Sequence, residues 1–282
     1  MLKLKQKISK RIHPWPLIKY NFRKDRAGYR KKIIAQKYGE PIDCCQADHI
    51  HTYMTLRCNM SCSFCINRIA VDKIYKYEEK PLTEWTKLYN RFYNVRELYF
   101  NGGEHFILKG FGDFINSLEG FNIRLFTNFP ESGMDEFKKL DSKRNNIILL
   151  ISYHPHDAEP VANFMKRARQ AIPKGILWNP HIIAAPGVST RMYADAFHRY
   201  GVYPTREELV LPLVKKASES TVLCKTNEFN FAPDMRLFNC LIHLLQGNGG
   251  TWDYKFNSTV VSCNFWPRCT GCNAYNEILD MM

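Results

Sequence analysis

The sequence predicts an α/β protein: a partial (β/α)6 parallel barrel with a small cysteine-rich segment at its C-terminal end. Three observations predict it. Between residues 48 and 215, strand-like and helix-like stretches alternate in six βα steps. Repeated βα units make a parallel sheet, and right-handed crossovers curl such a sheet toward a barrel. No cysteine falls between Cys65 and Cys224, whereas five of the ten lie in residues 216–282. That segment reads as a fold held by bound metal rather than by a core.

The elements follow in chain order. Residues 1–47 form a basic extension. "MLKLKQKISKRI" spaces Leu4, Ile8 and Ile12 four apart, the pattern of a short amphipathic helix, and "KDRAGYRKKIIAQKYG" reads as a second helix ended by Gly39. In the barrel region the strands are "HIHTYMTL", "VRELYFNGG", "NIRLFTN", "NIILLISYH", "WNPHIIAAPG" and "ELVLPLV". The helices between them are "LTEWTKLYNRFYN", "FGDFINSLE", "MDEFKKLDSK", "PVANFMKRARQAI" and "TRMYADAFHRYG". Parallel barrels carry their chemistry at the C-terminal strand ends. There the sequence places Cys58, Gly102-Gly103-Glu104, Thr127-Asn128, Ser152-Tyr153-His154 and Pro186-Gly187. In the last segment, "EFNFAPDMRLFNC" reads as a β-hairpin turning at Pro233-Asp234.

Composition narrows the function classes. No stretch approaches the roughly 20 apolar residues of a membrane span, and the basic N-terminus lacks the apolar core of a signal peptide. A cytoplasmic protein is expected. Clustered cysteines then point to metal or redox chemistry rather than disulfides. Of the net charge of +13, residues 1–37 carry +12. The basicity belongs to the arm, which suits an acidic partner or a membrane surface, or simply a solvated extension.

"RCNMSCSFCIN" holds Cys58, Cys62 and Cys65 in a C-x3-C-x2-C spacing. Three thiolates leave a structural zinc site one ligand short, unless Cys44, Cys45, His49 or His51 completes it. They can instead hold three corners of a cubane iron–sulfur cluster and leave one iron open.

Here the sequence resembles the radical SAM superfamily, whose signature is C-x3-C-x-aromatic-C; Cys58, Cys62, Phe64 and Cys65 match it. The resemblance implies a 4Fe–4S cluster whose open iron is chelated by S-adenosylmethionine. An electron from the cluster cleaves that cofactor to methionine and a 5′-deoxyadenosyl radical, which takes a hydrogen atom from substrate. A second match is "FNGGEHF": Gly102, Gly103 and Glu104 stand where the family holds the methionyl ammonium, with glycines for close approach and Glu104 for negative charge. Thr127, Asn128 and Ser152 match positions that reach the ribose or carboxylate. The resemblance covers residues 45–215.

The C-terminal cysteines resemble the SPASM or twitch extensions of this superfamily, which hold auxiliary 4Fe–4S clusters. The expected ligands of a second cluster are Cys224, Cys240, Cys269 and Cys272, with Cys263 a substitute for Cys269 or a spare thiol. Met235 departs from the pattern, standing where the hairpin glycine usually is. A zinc ribbon is the alternative. A spare thiol such as Cys263 can return a hydrogen atom to a substrate radical, although a buried cysteine is more often inert. His154 and His156 are candidates for hydrogen bonding or proton transfer to substrate.

The function expected is hydrogen abstraction from a sugar-like small molecule, by dehydrogenation or epimerisation. The alternatives are a maturase acting on a ribosomally made peptide, and a non-catalytic iron–sulfur or zinc protein. A flavodoxin- or ferredoxin-type reductant is implied by the family chemistry.

Overall fold

The computed structural model describes residues 24–43, 49–62, 65, 67, 73–143, 145–155, 159–184, 189–208, 222–226, 229–252, 254, 259–263 and 277–281. The described part of the arm opens with helix α1 (Lys24–Lys37), and the chain turns just after it at Gly39, with φ +94°, as the sequence predicts. The more N-terminal helix expected at residues 1–12 lies outside the described residues.

Strand β1 (His49–Thr52) is followed by α2 (Leu82–Tyr89), β2 (Glu97–Phe100), α3 (Phe111–Ser117), β3 (Asn122–Thr127), α4 (Met134–Lys139), β4 (Asn146–Tyr153), α5 (Val161–Ala171), β5 (Leu177–Ala184), α6 (Arg191–His198) and β6 (Thr205–Glu208). Every neighbouring pair from β1 to β6 is parallel. The sixth strand begins before the expected "ELVLPLV", most of which lies outside the described residues.

Strand alternation explains the layers. Leu98 and Phe100, Ile123 and Leu125, and Ile147, Leu149 and Ile151 are buried on one face of the sheet. Against it pack the apolar stripes of the helices. In α5 these are Val161, Phe164, Met165, Ala168 and Ala171, at helical spacing. Each large side chain so buried contributes about 1.5–3 kcal/mol. The other face carries His49, His51, Tyr99, Arg124 and Phe126, all half-buried. Parallel sheets are usually covered on both faces. Here, among the described residues, the helices cover one.

The predicted hairpin forms from β8 (Asn230–Phe231) and β9 (Leu237–Phe238). Met235 sits at φ +68°, so the position that resembles a family glycine does require a left-handed backbone. The hairpin is not separate from the barrel. β8 pairs in parallel with β1, giving the order β6-β5-β4-β3-β2-β1-β8-β9. Among the described residues the sheet therefore ends in two edges, β6 and β9, and is not closed. After the hairpin comes α7 (Leu241–Gln246). The rest of the C-terminal segment contributes a second, antiparallel sheet. In it β7 (Val222–Thr226) lies between β10 (Thr259–Cys263) and β11 (Glu277–Met281). No described helix is long and apolar enough to cross a membrane.

Candidate active site

The cysteine loop hangs from the end of β2. Beyond β1 the chain stays extended, and its carbonyls accept hydrogen bonds from the turn after β2. Asn101 N donates to Thr52 O (2.8 Å), Gly103 N to Thr55 O (2.9 Å) and Glu104 N to Arg57 O (2.8 Å). A Cβ on Gly103 would sit 1.9 Å from Arg57 O. Gly102 has φ +109°, and a Cβ there would meet the Tyr53 ring at 2.8 Å. The close approach these glycines allow is thus to the chain's own strand, immediately before Cys58. Across the base of the loop, the Arg57 guanidinium donates two bonds to Glu79 (2.9 and 2.5 Å), and the Thr55 hydroxyl donates a third.

Cys58 is exposed, Cys62 and Cys65 are half-buried, and none is in a disulfide. Among the described residues no three Cys, His, Asp or Glu side chains converge as a single metal ion would need. A cubane asks for something else, thiols spread over its separate corners. The Cys58 sulfur accepts from Met60 N (3.4 Å) and from the Asn128 side-chain amide (3.4 Å). Phe64 lies outside the described residues.

Glu104 is 1% exposed. Its carboxylate accepts from the Thr127 hydroxyl (2.9 Å to each oxygen), Asn128 N (2.7 Å) and Phe106 N (3.0 Å). Burial pushes its pKa up to about 7, and these hydrogen bonds pull the other way. The side chain expected to face an ammonium group therefore has an internal role, tying the turn after β2 to the end of β3. Thr127 is likewise engaged on both sides, donating to Glu104 and accepting from Phe129 N (2.9 Å).

A pocket of roughly 210 Å³ opens beside the loop, lined by Met60, Asn128, Ser152, His154, Glu159 and Arg167 among others. It brings together three residues singled out in the sequence, Asn128, Ser152 and His154, next to a neighbour of Cys58. Asn128 Oδ1 is buried there without a hydrogen-bond partner among the described residues. His156 lies outside them.

Some wall residues carry no sequence signal. Arg167 is one of three basic residues in "KRAR", yet it donates to Phe129 O (2.8 Å), pairs with Glu159 and lies over the Phe129 ring at 4.8 Å. His105, next to Glu104, is 1% exposed and stacks on Phe111. Burial lowers its pKa to about 3, so it is a neutral core residue. Of the aromatics near strand ends, Tyr53 and Tyr153 are core, as is the default for such residues.

The second cysteine group is only partly described. Cys240 is 5% exposed, in an apolar cluster with Tyr53, Phe238, Leu244 and Leu245. Cys224 stands opposite Val261 in the β7–β10 register, and Cys263 opposite Val222, two positions along. Cys269 and Cys272, like Cys44 and Cys45, lie outside the described residues.

No protein-family model matches the chain, and no curated protein sequence does. Solved structures do match. SuiB of Streptococcus suis, bound to the precursor peptide SuiA, is 10% identical over 82% of this chain and 67% of that one, with a TM-score of 0.48. The same protein bound to S-adenosylmethionine aligns over 82% and 68%, at 10% identity and a TM-score of 0.42. Native anSMEcpe, with bound AdoMet and Cp18Cys peptide, aligns over 77% and 79%, at 11% identity and a TM-score of 0.42. The likeness is one of fold.

Proposed function

We propose that this chain is a radical S-adenosylmethionine enzyme, with its cluster on Cys58, Cys62 and Cys65. The observation that carries the reading is the attachment of the cysteine loop to the Gly102-Gly103-Glu104 turn, with Asn128 at the Cys58 sulfur. Two motifs far apart in sequence are thereby one site at the strand ends. The donor set fits the group: three thiols outside disulfides, and beside them a buried acceptor, Asn128 Oδ1, without a hydrogen-bond partner among the described residues. Held there, a reduced cluster would supply the electron for reductive cleavage of S-adenosylmethionine. The protein's part is to hold and orient. Gly102 and Gly103 bring the loop against β2, Glu104 and Thr127 fix Asn128, and Ser152 and His154 line the space for cofactor and substrate.

A second 4Fe–4S cluster on Cys224, Cys240, Cys269 and Cys272 is proposed with it, Cys263 being the substitute ligand or the hydrogen donor. The domain limits proposed are 1–47, 48–215 and 216–282. A flavodoxin- or ferredoxin-type reductant in the cytoplasm, and an acidic partner or membrane surface for the arm, complete the reading.

The substrate expected from the sequence was a sugar-like small molecule. Nothing in the pocket favours one, and SuiB and anSMEcpe were each solved with a peptide. A peptide is therefore the substrate class to test first.

The test is anaerobic reconstitution, with iron and sulfide counted per chain, followed by reduction and assay for 5′-deoxyadenosine. About eight irons with cofactor cleavage are expected, since each cubane holds about four. Deuterated peptides and sugars then show which one passes deuterium into 5′-deoxyadenosine. Zinc in place of iron, with no cleavage by folded protein, defeats the proposal.

A further inference from the structure

The turn after β3 is clamped from several sides. Thr127, Asn128 and Phe129 leave the strand with Phe129 at φ +58°, a left-handed conformation that side chains other than glycine rarely adopt. Such strain persists only where the surroundings hold it. Here Phe129 N donates to the Thr127 hydroxyl, and Phe129 O accepts from Arg167. The Phe129 ring packs against Phe137 and Phe164 at 4.7 and 5.7 Å between centroids. The Asn128 backbone N–H is fastened to the buried Glu104 carboxylate. What this turn presents to the cysteine loop is one group, the Asn128 amide. Its Nδ2 donates to the Cys58 sulfur (3.4 Å) and to Asn59 Oδ1 (2.9 Å). The Cys58 sulfur takes a second N–H from Met60 (3.4 Å).

We infer that Asn128 is a positioning residue for electron transfer: its N–H···S hydrogen bond to Cys58 sets the reduction potential of the bound cluster. The inference rests on the proposed radical reading and deepens it. Adding an electron puts more negative charge on the cluster sulfurs. A donor pointed at one of them stabilises the reduced state more than the oxidised one, and the potential rises. The clamp gives the effect its constancy. Glu104, Thr127 and Arg167 hold the backbone of the turn, so the Asn128 side chain leaves it from a fixed point, and the bond to Asn59 Oδ1 orients its amide. Losing the donor lowers the potential and makes the cluster harder to reduce.

The test compares wild type with Asn128→Ala and the isosteric Asn128→Asp, reconstituted anaerobically and poised at fixed potentials without S-adenosylmethionine. The readout is the reduced fraction by electron paramagnetic resonance. Both variants are expected to keep wild-type iron and sulfide. The reduced-to-oxidised ratio should fall roughly tenfold at a given potential, a downward shift of 59 mV for a one-electron couple. The Asp variant, whose charge repels the sulfur, should fall at least as far as the Ala variant. An unchanged potential in iron-replete variants overturns the inference and leaves the radical reading standing. A shift seen only when cofactor is present also overturns it, because Asn128 would then act through the cofactor. A wild-type chain that takes up no iron overturns both.

Discussion

Gly103 is the position where one atom decides most. A Cβ there would lie 1.9 Å from Arg57 O, so Gly103→Ala must push β2 away from the strand that leads into Cys58. We expect a loss of about 3 kcal/mol, the upper range for overpacking, and iron uptake well below wild type. Chemical denaturation and iron analysis check both. Gly201 makes a contrast: unlike Gly103 it has positive φ, but its Cβ would meet nothing within 4 Å. Gly201→Ala should leave iron uptake untouched.

Glu104 carries a pH signature at the same scale. Its folded pKa, about 7, is above the ordinary carboxylate value, so between the two the folded state holds more protons than the unfolded. Its contribution to stability is complete in acid and is lost as pH rises toward and through 7. Buried His105 and half-buried His51 act in the opposite sense. Their pKa values fall to about 3 and about 4, so the unfolded chain binds more protons below the ordinary histidine value, and stability drops as pH falls through that window. Melting curves from pH 4 to 8 separate the two. Glu104→Gln should flatten the loss toward pH 7, and His105→Phe should flatten the loss in acid. If both variants parallel wild type across the range, burial is not what governs these groups.

At the scale of elements, α5 links core and site. Phe164 lies on its buried stripe, and its ring meets Phe129 at 5.7 Å, Tyr153 at 5.4 Å and Phe197 at 5.6 Å. Phe164→Ala should cost about 3–5 kcal/mol by leaving a cavity beneath the strand ends. The β8–β9 hairpin has the reverse prospect. Met235→Gly relieves a left-handed conformation worth about 1–2 kcal/mol, offset by the packing of the half-buried Met side chain. The expected result is a change between zero and a gain of about 1 kcal/mol. A clear loss would mean that the side chain, not the backbone, determined the choice of methionine.

At the scale of the whole molecule, the sheet that carries the cysteine loop also carries the hairpin, through the β1–β8 pairing. Cys240 follows that hairpin and lies in one apolar cluster with Tyr53, only a few residues before Cys58. Cys240 and the cysteine loop therefore belong to one framework, although the sequence separates them by the whole barrel. If Cys240 is a ligand of the second cluster, Cys240→Ala should lose about half of the iron while keeping cofactor cleavage. If iron stays at the wild-type count, Cys240 is a core residue and the proposed ligand set is wrong.

The sequence by itself determined the run of βα steps and the contents of the strand ends. Both follow from local rules: the period of apolar residues names the element, and the cysteine spacing and glycine pair name the turn. The alternating Leu98 and Phe100 and the stripe of α5 could be read that way, and so could Gly39 and the Pro233-Asp234 turn. Only the tertiary structure decided what these groups face. Glu104 looks like a charge for a cofactor and is also a buried clasp, because Thr127 and Asn128 reach it from the next strand, one crossover away in sequence. Arg167 looks like any surface cation of an amphipathic helix and braces the turn that aims Asn128. The hairpin looks like part of a separate segment and supplies the seventh and eighth strands of the main sheet. Each of these depends on which distant backbone arrives alongside, and no local periodicity encodes that.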